Sequence, residues 1–190
     1  MNKKIILFTI LMVSLSFIGC GIQPPKEDLE KAKIALAKAE EVEAQKYAPT
    51  EYNEAKSKLE QGEKTIVPKK SRKNKEAKET IGSAEQKANE AFQKSAPKFA
   101  EDNLNNAKQL LENAKNMKVN VALKEEYSKA EQILKEAEEL YAKNDFYNAG
   151  KKAKEVQPII ENAIKLTDEK RIKAESSLNE ARQKFDKIQK

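Results

Sequence analysis

Histidine and tryptophan are absent from the 190 residues, cysteine occurs once, and glycine only five times. Each shortage excludes something. Without histidine there is no Ser-His-Asp or Cys-His apparatus and no histidine-ligated zinc or haem. One cysteine makes no internal disulfide and no thiolate metal cluster. So few glycines leave little for a phosphate-cradling loop, and neither a Walker motif nor a dinucleotide fingerprint nor a calcium loop appears. Aromatics make up 6% of the chain, too little for a thick globular core. What the chain has instead is charge, 36% of its residues, together with alanine, which is abundant after residue 20.

The N-terminus is the one apolar region. Lys3 and Lys4 precede a run from Ile5 to Ile18 broken only by Thr9, Ser14 and Ser16. A spanning helix needs ~20 apolar residues, because each adds ~1.5 Å across a ~30 Å hydrocarbon core. The run is too short for that and reads as the h-region of a secretory signal. It ends Leu15-Ser16-Phe17-Ile18-Gly19-Cys20. This resembles the lipobox of bacterial lipoproteins, in a relaxed form with Phe17 where leucine is usual, as spirochaete lipoproteins also show. The resemblance implies cleavage before Cys20, leaving residues 1–19 as signal peptide and residues 20–25 as a tether acylated on Cys20. Two or three acyl chains would anchor it essentially permanently, at ~0.8 kcal/mol per buried CH₂. Gly21, in place of the aspartate that retains lipoproteins at the inner membrane, points to the outer membrane.

The expected fold is all-α, an elongated bundle of amphipathic helical hairpins. Alanine, glutamate, lysine, leucine and glutamine are good helix formers, and no extended β-branched run occurs. Helices are expected over residues 26–46, from Pro49 to about 64, over 71–95, from Pro97 to about 117, over 123–143, and from about 146 to 189 with a kink or break at Pro158. Four of them carry the same stripe, spaced 3, 4, 3: Leu29-Ala32-Leu36-Ala39, Tyr52-Ala55-Leu59-Gly62, Leu104-Ala107-Leu111-Ala114 and Tyr127-Ala130-Leu134-Ala137. Such steps return to one face, and alternating large with small residues suits close knobs-into-holes packing. Residues 26–97 and 98–190 are therefore expected as two helical repeat regions, the second ending in a long helix.

Tyr47-Ala48-Pro49, then Glu51-Tyr52, Ala55 and Leu59, resemble a family of bacterial envelope lipoproteins that carry a helical domain of unknown function. Ser95-Ala96-Pro97-Lys98-Phe99 looks like a degenerate second start, and Asn144-Asp145-Phe146-Tyr147 with Ala149 and Ala153 resembles that family's inter-helix turn. The basic segment Thr65 to Lys75 departs from its compact turn. The resemblance implies an envelope lipoprotein and lends no catalytic residues or cofactor.

Lys69, Lys70, Arg72, Lys73 and Lys75 put five cations into seven residues and form the candidate loop for an anionic ligand. No aromatic residue interleaves them for base stacking, which argues against nucleic acid. The five tyrosines lie on or near the stripes and read as core. Adjacent acids such as Glu40-Glu41 point to different parts of a helix and lack the convergence that paired-carboxylate catalysis needs. The expected activity is non-enzymatic: a structural or protein-binding scaffold, held to the membrane by its acyl chains and facing another envelope component. The alternative is a surface adhesin binding host or anionic ligands.

Overall fold

The computed structural model describes residues 23–189, and among them every regular element is an α-helix. Cys20 and the signal segment lie outside the described residues. The helices are α1 (Lys26–Glu41), α2 (Ala44–Tyr47), α3 (Pro49–Thr65), α4 (Ser71–Asn116), α5 (Val119–Ala122), α6 (Lys124–Ala142), α7 (Phe146–Lys154) and α8 (Val156–Ile188). None is long and apolar enough to cross a membrane.

The spine is α4, 46 residues that rise about 70 Å at ~1.5 Å each. Helices α1 and α3 pack along its first half, α7 near its middle, and α6 and α8 along its second half. Pro97 does not restart the chain, contrary to the sequence expectation. It lies inside α4, which loses one hydrogen bond there and continues because both sides are held: Ala96 and Phe99 pack with Val42. The expected division at 97/98 therefore falls within a helix.

Around this spine the chain repeats itself every 75 residues. Leu29-Ala32-Leu36-Ala39 returns as Leu104-Ala107-Leu111-Ala114, and Tyr52-Ala55-Leu59-Gly62 as Tyr127-Ala130-Leu134-Ala137. The loops between them match in backbone detail. Glu43 and Lys118 are both left-handed, with φ of 56° and 65°. A four-residue turn follows each, then Ala48 or Leu123 at φ −142° or −139°. Ala48 N–H donates to Ala44 O at 2.8 Å, and Leu123 N–H to Val119 O at 2.8 Å. Each repeat is thus helix, seven-residue loop, helix, short loop, helix, and α4 serves both: its first half closes repeat one and its second half opens repeat two.

The loops account for two further departures from expectation. The helix expected over 26–46 breaks at Val42–Glu43, because Val42, Ala44 and Ala48 turn inward and are buried. The connector at 118–122 contains its own helical turn, α5. Ala48 precedes Pro49, whose ring disfavours helical backbone in the residue before it, and Pro49 itself sits at the first helical position, where a missing N–H costs nothing. The break expected near Pro158 occurs at Glu155, three residues earlier. Pro158 then lies in the first turn of α8 and removes only a donor that would have gone unpaired there.

The core is a seam of small residues. Ala39, Ala44, Ala77, Ala88, Ala91, Ala100, Ala114, Ala130, Ala137, Ala149 and Ala163 are fully buried, with Phe99, Ile81, Ile160, Val42, Val119 and Val156 as the large inserts. Ion pairs cross the outside of the seam, as at Lys33–Glu63 (2.7 Å), Lys87–Glu54 (3.3 Å) and Lys108–Glu138 (2.8 Å). Apart from half-buried Lys87 these side chains are exposed, and such surface pairs contribute roughly 0–1 kcal/mol each. The last part of α8 leaves the bundle: every described residue after Asp168 is exposed.

Candidate functional site

The two candidate regions are the basic loop between α3 and α4 and the junction where the repeats meet. In the first, α1 runs up, α3 returns and α4 runs up again, so the α3–α4 loop lies at the same end as the first residue of α1. Contacts fix this: Lys78 of α4 pairs with Asp28 at 3.6 Å, and Leu29 and Ile66 pack against one cluster with Ala77 and Ile81. This end of the rod is its base.

The loop is held from below by Asn74. That side chain is fully buried and its Oδ1 accepts from Val67 N–H at 3.1 Å. Lys69 takes the left-handed conformation, φ 64°, which turns the chain into α4. Lys70 N–H donates to Val67 O at 3.2 Å, and Asn74 N–H to Lys70 O at 3.0 Å. The five cations singled out from sequence, Lys69, Lys70, Arg72, Lys73 and Lys75, are all exposed, and the structure brings them together around the first turn of α4. Among the described residues, Lys73 is the one of the five with an acidic side chain in contact, Glu76 at 3.0 Å. The free N–H groups of a helix start carry partial positive charge, so cations placed there reinforce one another's potential at some cost to the helix. Residues 26–28 and 63–76 together carry net +3. The chain from residue 20 onward carries 35 basic and 31 acidic residues, net +4, so most of its excess sits at the base.

The junction is built differently. Tyr47 Oη donates to Asp102 at 2.6 Å, and Lys46 donates to both Tyr47 Oη (2.6 Å) and Asp102 (3.2 Å). Tyr147 Oη donates to Glu41, Lys151 reaches Glu41 at 3.1 Å, and Lys154 reaches Glu43 at 2.7 Å. Lys154 also lies over the Phe99 ring, 4.8 Å from its centre. The Tyr47 hydroxyl, then Lys46, hold Asp102 below the usual carboxylate range, and Tyr147, then Lys151, do the same to Glu41. Burial, then the hydrogen bond to Asp102, pushes Tyr47 up. These contacts lock the loop of repeat one against α4 and α7. They place no nucleophile beside a base, and an open polar hollow of about 570 Å³ beside them is lined by Glu40, Glu43, Gln45, Lys46 and Tyr52. Among the described residues no group of three or more acidic or cysteine side chains is placed to hold a metal.

The tyrosines divide by position. Tyr52 and Tyr127 are buried on their stripes. The Tyr52 hydroxyl donates to Glu40 at 2.8 Å. At the equivalent of Glu40 the second repeat has Lys115, and Tyr127 turns its hydroxyl to Leu111 O at 3.3 Å. Tyr47 and Tyr147 sit at the junction, a role that their spacing from the stripes could have indicated.

Glu27 and Asp102 are equivalent positions, so residues 27–102 are one period of the repeat. That is where the known family lies. Residues 27–102 match a domain of unknown function, DUF4398. No curated protein and no solved structure matches the chain. The DUF4398 domain contains Tyr47-Ala48-Pro49 and the basic loop, and the second repeat has its helices and loop without being part of the match.

Sequence reading missed one feature. Leu178-Ala181-Phe185-Ile188 continues the 3, 4, 3 spacing on the exposed part of α8. The spacing itself was the signal.

Proposed function

We propose that the protein is a non-enzymatic lipoprotein of the bacterial envelope, acylated on Cys20, in which two DUF4398-type repeats form a rod that stands off the membrane. The observation that carries this reading is the position of the basic loop. It lies at the end of the rod from which the chain runs back to Cys20. Residues 20–25 span at most about 20 Å when extended, at ~3.3–3.6 Å each. An anchor at Cys20 therefore brings Lys69, Lys70, Arg72, Lys73 and Lys75 within reach of lipid headgroups. Basic residues near an anionic surface contribute about 1 kcal/mol each, so the loop would add a second attachment to the acyl chains. The far end of the rod, at the tip of α8, is then the part held away from the membrane. The outer membrane is the membrane that Gly21 favours.

Metabolic labelling with a palmitate analogue tests the anchor. The expected result is a labelled wild-type protein and an unlabelled Cys20→Ala variant. An unlabelled wild type would overturn the reading.

A further inference from the structure

After residue 20 the chain has nine aromatic residues, and six of them gather where the two repeats meet. Tyr47, Phe92, Phe99, Phe146 and Tyr147 share one cluster with Val42, and Tyr141 meets Phe146 edge-on with 5.1 Å between ring centres. The repeat itself does not require these rings. One period after Phe92 and Phe99 stand Thr167 and Ala174. Phe99 is buried, whereas Phe92 and Tyr147 are half-buried and keep part of their surface in solvent.

Those two side chains line an open hollow of about 300 Å³, together with Lys38, Asn89 and Gln93. Its size is at the lower end of the ~300–1,000 Å³ that small-ligand sites span. Three helices from both repeats build it: Lys38 comes from α1, Asn89, Phe92 and Gln93 from α4, and Tyr147 from α7. Asn89, Phe92 and Gln93 stand at i, i+3 and i+4, so one face of α4 presents amide, ring and amide side by side. The two rings meet at 54° with centres 5.7 Å apart, so neither lies flat on the other. Tyr147 is held in place, since its hydroxyl donates to Glu41 and Lys151 Nζ lies 4.9 Å from its ring centre. Neither the Asn89 nor the Gln93 amide makes a hydrogen bond with another described residue. Each therefore offers two N–H donors and a carbonyl acceptor to whatever enters.

We infer that this hollow is a glycan-binding site. A pyranose ring presents C–H groups on its face and hydroxyls around its edge. The C–H groups carry partial positive charge and suit the negative face of an aromatic ring. The hydroxyls both donate and accept, which matches the amides of Asn89 and Gln93, and the Lys38 ammonium adds further donors. Other ligands fit less well. A cation meets no carboxylate in the lining, a polyanion meets a single lysine, and an aliphatic ligand would bury both amides unpaired. The site is completed by α7, which the second repeat supplies. It is separate from the acyl anchor, and either reading can fail without the other.

Saturation-transfer difference NMR on the full chain in phosphocholine micelles tests the site. The probes are cellotriose, maltotriose and the trimer of N-acetylglucosamine, neutral sugars that the basic loop does not attract. Saturating the aromatic protons should carry signal to the sugar C–H protons of at least one probe. Asn89→Ala with Gln93→Ala should weaken binding of that probe at least ~tenfold. Both amides are exposed, so helical circular dichroism should persist in the double variant. Phe92→Leu keeps the apolar bulk without the ring and should reduce the aromatic transfer. No transfer to any of the probes, binding that the double variant leaves unchanged, or undiminished transfer in Phe92→Leu would each overturn the inference.

Discussion

Gly62 sits where any side chain would collide with Ile81: an added Cβ would lie 2.4 Å from Ile81 Cγ1. The equivalent pair in the second repeat is Ala137 and Val156, which share one core cluster. One carbon has moved across the seam, and the total is unchanged. Gly62→Ala alone should therefore cost about 1–3 kcal/mol through overpacking, despite the better helix propensity of alanine. Adding Ile81→Val frees the remaining γ-carbons to turn away, so the double variant should lose less than the sum of the single losses, measured by urea unfolding. Gly150 faces a stiffer neighbour. Its Cβ would meet the Phe99 ring at 2.4 Å, so Gly150→Ala has no comparable relief.

Three tyrosines contribute to the alkaline limit. The hydroxyl bond to Glu40, then burial, raises Tyr52; burial raises Tyr127 and Tyr47. An unfolded tyrosine ionises near pH ~10. The folded chain holds these protons longer, so their contribution is intact below that pH and is lost as the pH climbs through the raised values. Unfolding monitored against pH should show stability falling above about 10, with a shallower fall in Tyr52→Phe.

At the scale of elements, the loops decide the architecture. Lys118 takes a left-handed backbone that costs an L-residue roughly 1–2 kcal/mol. Lys118→Gly should raise stability by about 0.5–1 kcal/mol, the strain relieved less the entropy added to the unfolded chain. Glu43→Gly should gain less, since it also discards the contact with Lys154. Asn74→Ala should cost about 1–3 kcal/mol by orphaning Val67 N–H, and limited proteolysis should then cut the basic loop faster than in wild type.

The same scale shows what the sequence made legible. Helix content, the stripes and the exposed cations followed from spacing and composition, because a solvated helix obeys local rules. Pro97 misled because tertiary contact at Val42, Ala96 and Phe99 overrode a local breaker. The break inside 26–46 was hidden because Val42, Glu43 and Ala44 carry no glycine or proline to mark a left-handed turn. The stripes carried the 75-residue period as well, since Leu29 and Leu104, and Tyr52 and Tyr127, are 75 apart, and the matching loop dihedrals show that the copies share their backbone too. Cys20, the one residue expected to carry chemistry, lies outside the described residues.

For the whole molecule, polarity along the rod is the main result. The base gathers five exposed cations at the end where α1 begins, and the far end is a bare helix of about 30 Å with an apolar seam. A rod whose charge lies at one end and whose apolar surface lies at the other suits a spacer between a membrane and something beyond it. The core between them is thin and alanine-rich, and α4 runs through both repeats, its first half at the base and its second half in the second repeat. Removing residues 169–190 should leave the bundle's unfolding transition essentially unchanged, because no described residue there is buried.

The central claim is that the base faces the lipid and the α8 tip does not. Depth-dependent fluorescence quenching of the acylated protein in anionic bilayers measures this directly, with a probe at Lys70 in one sample and at Asn179 in another. A bilayer-embedded quencher should dim the Lys70 probe strongly and leave the Asn179 probe unaffected. Equal quenching at both positions, or quenching at Asn179 alone, would contradict the account.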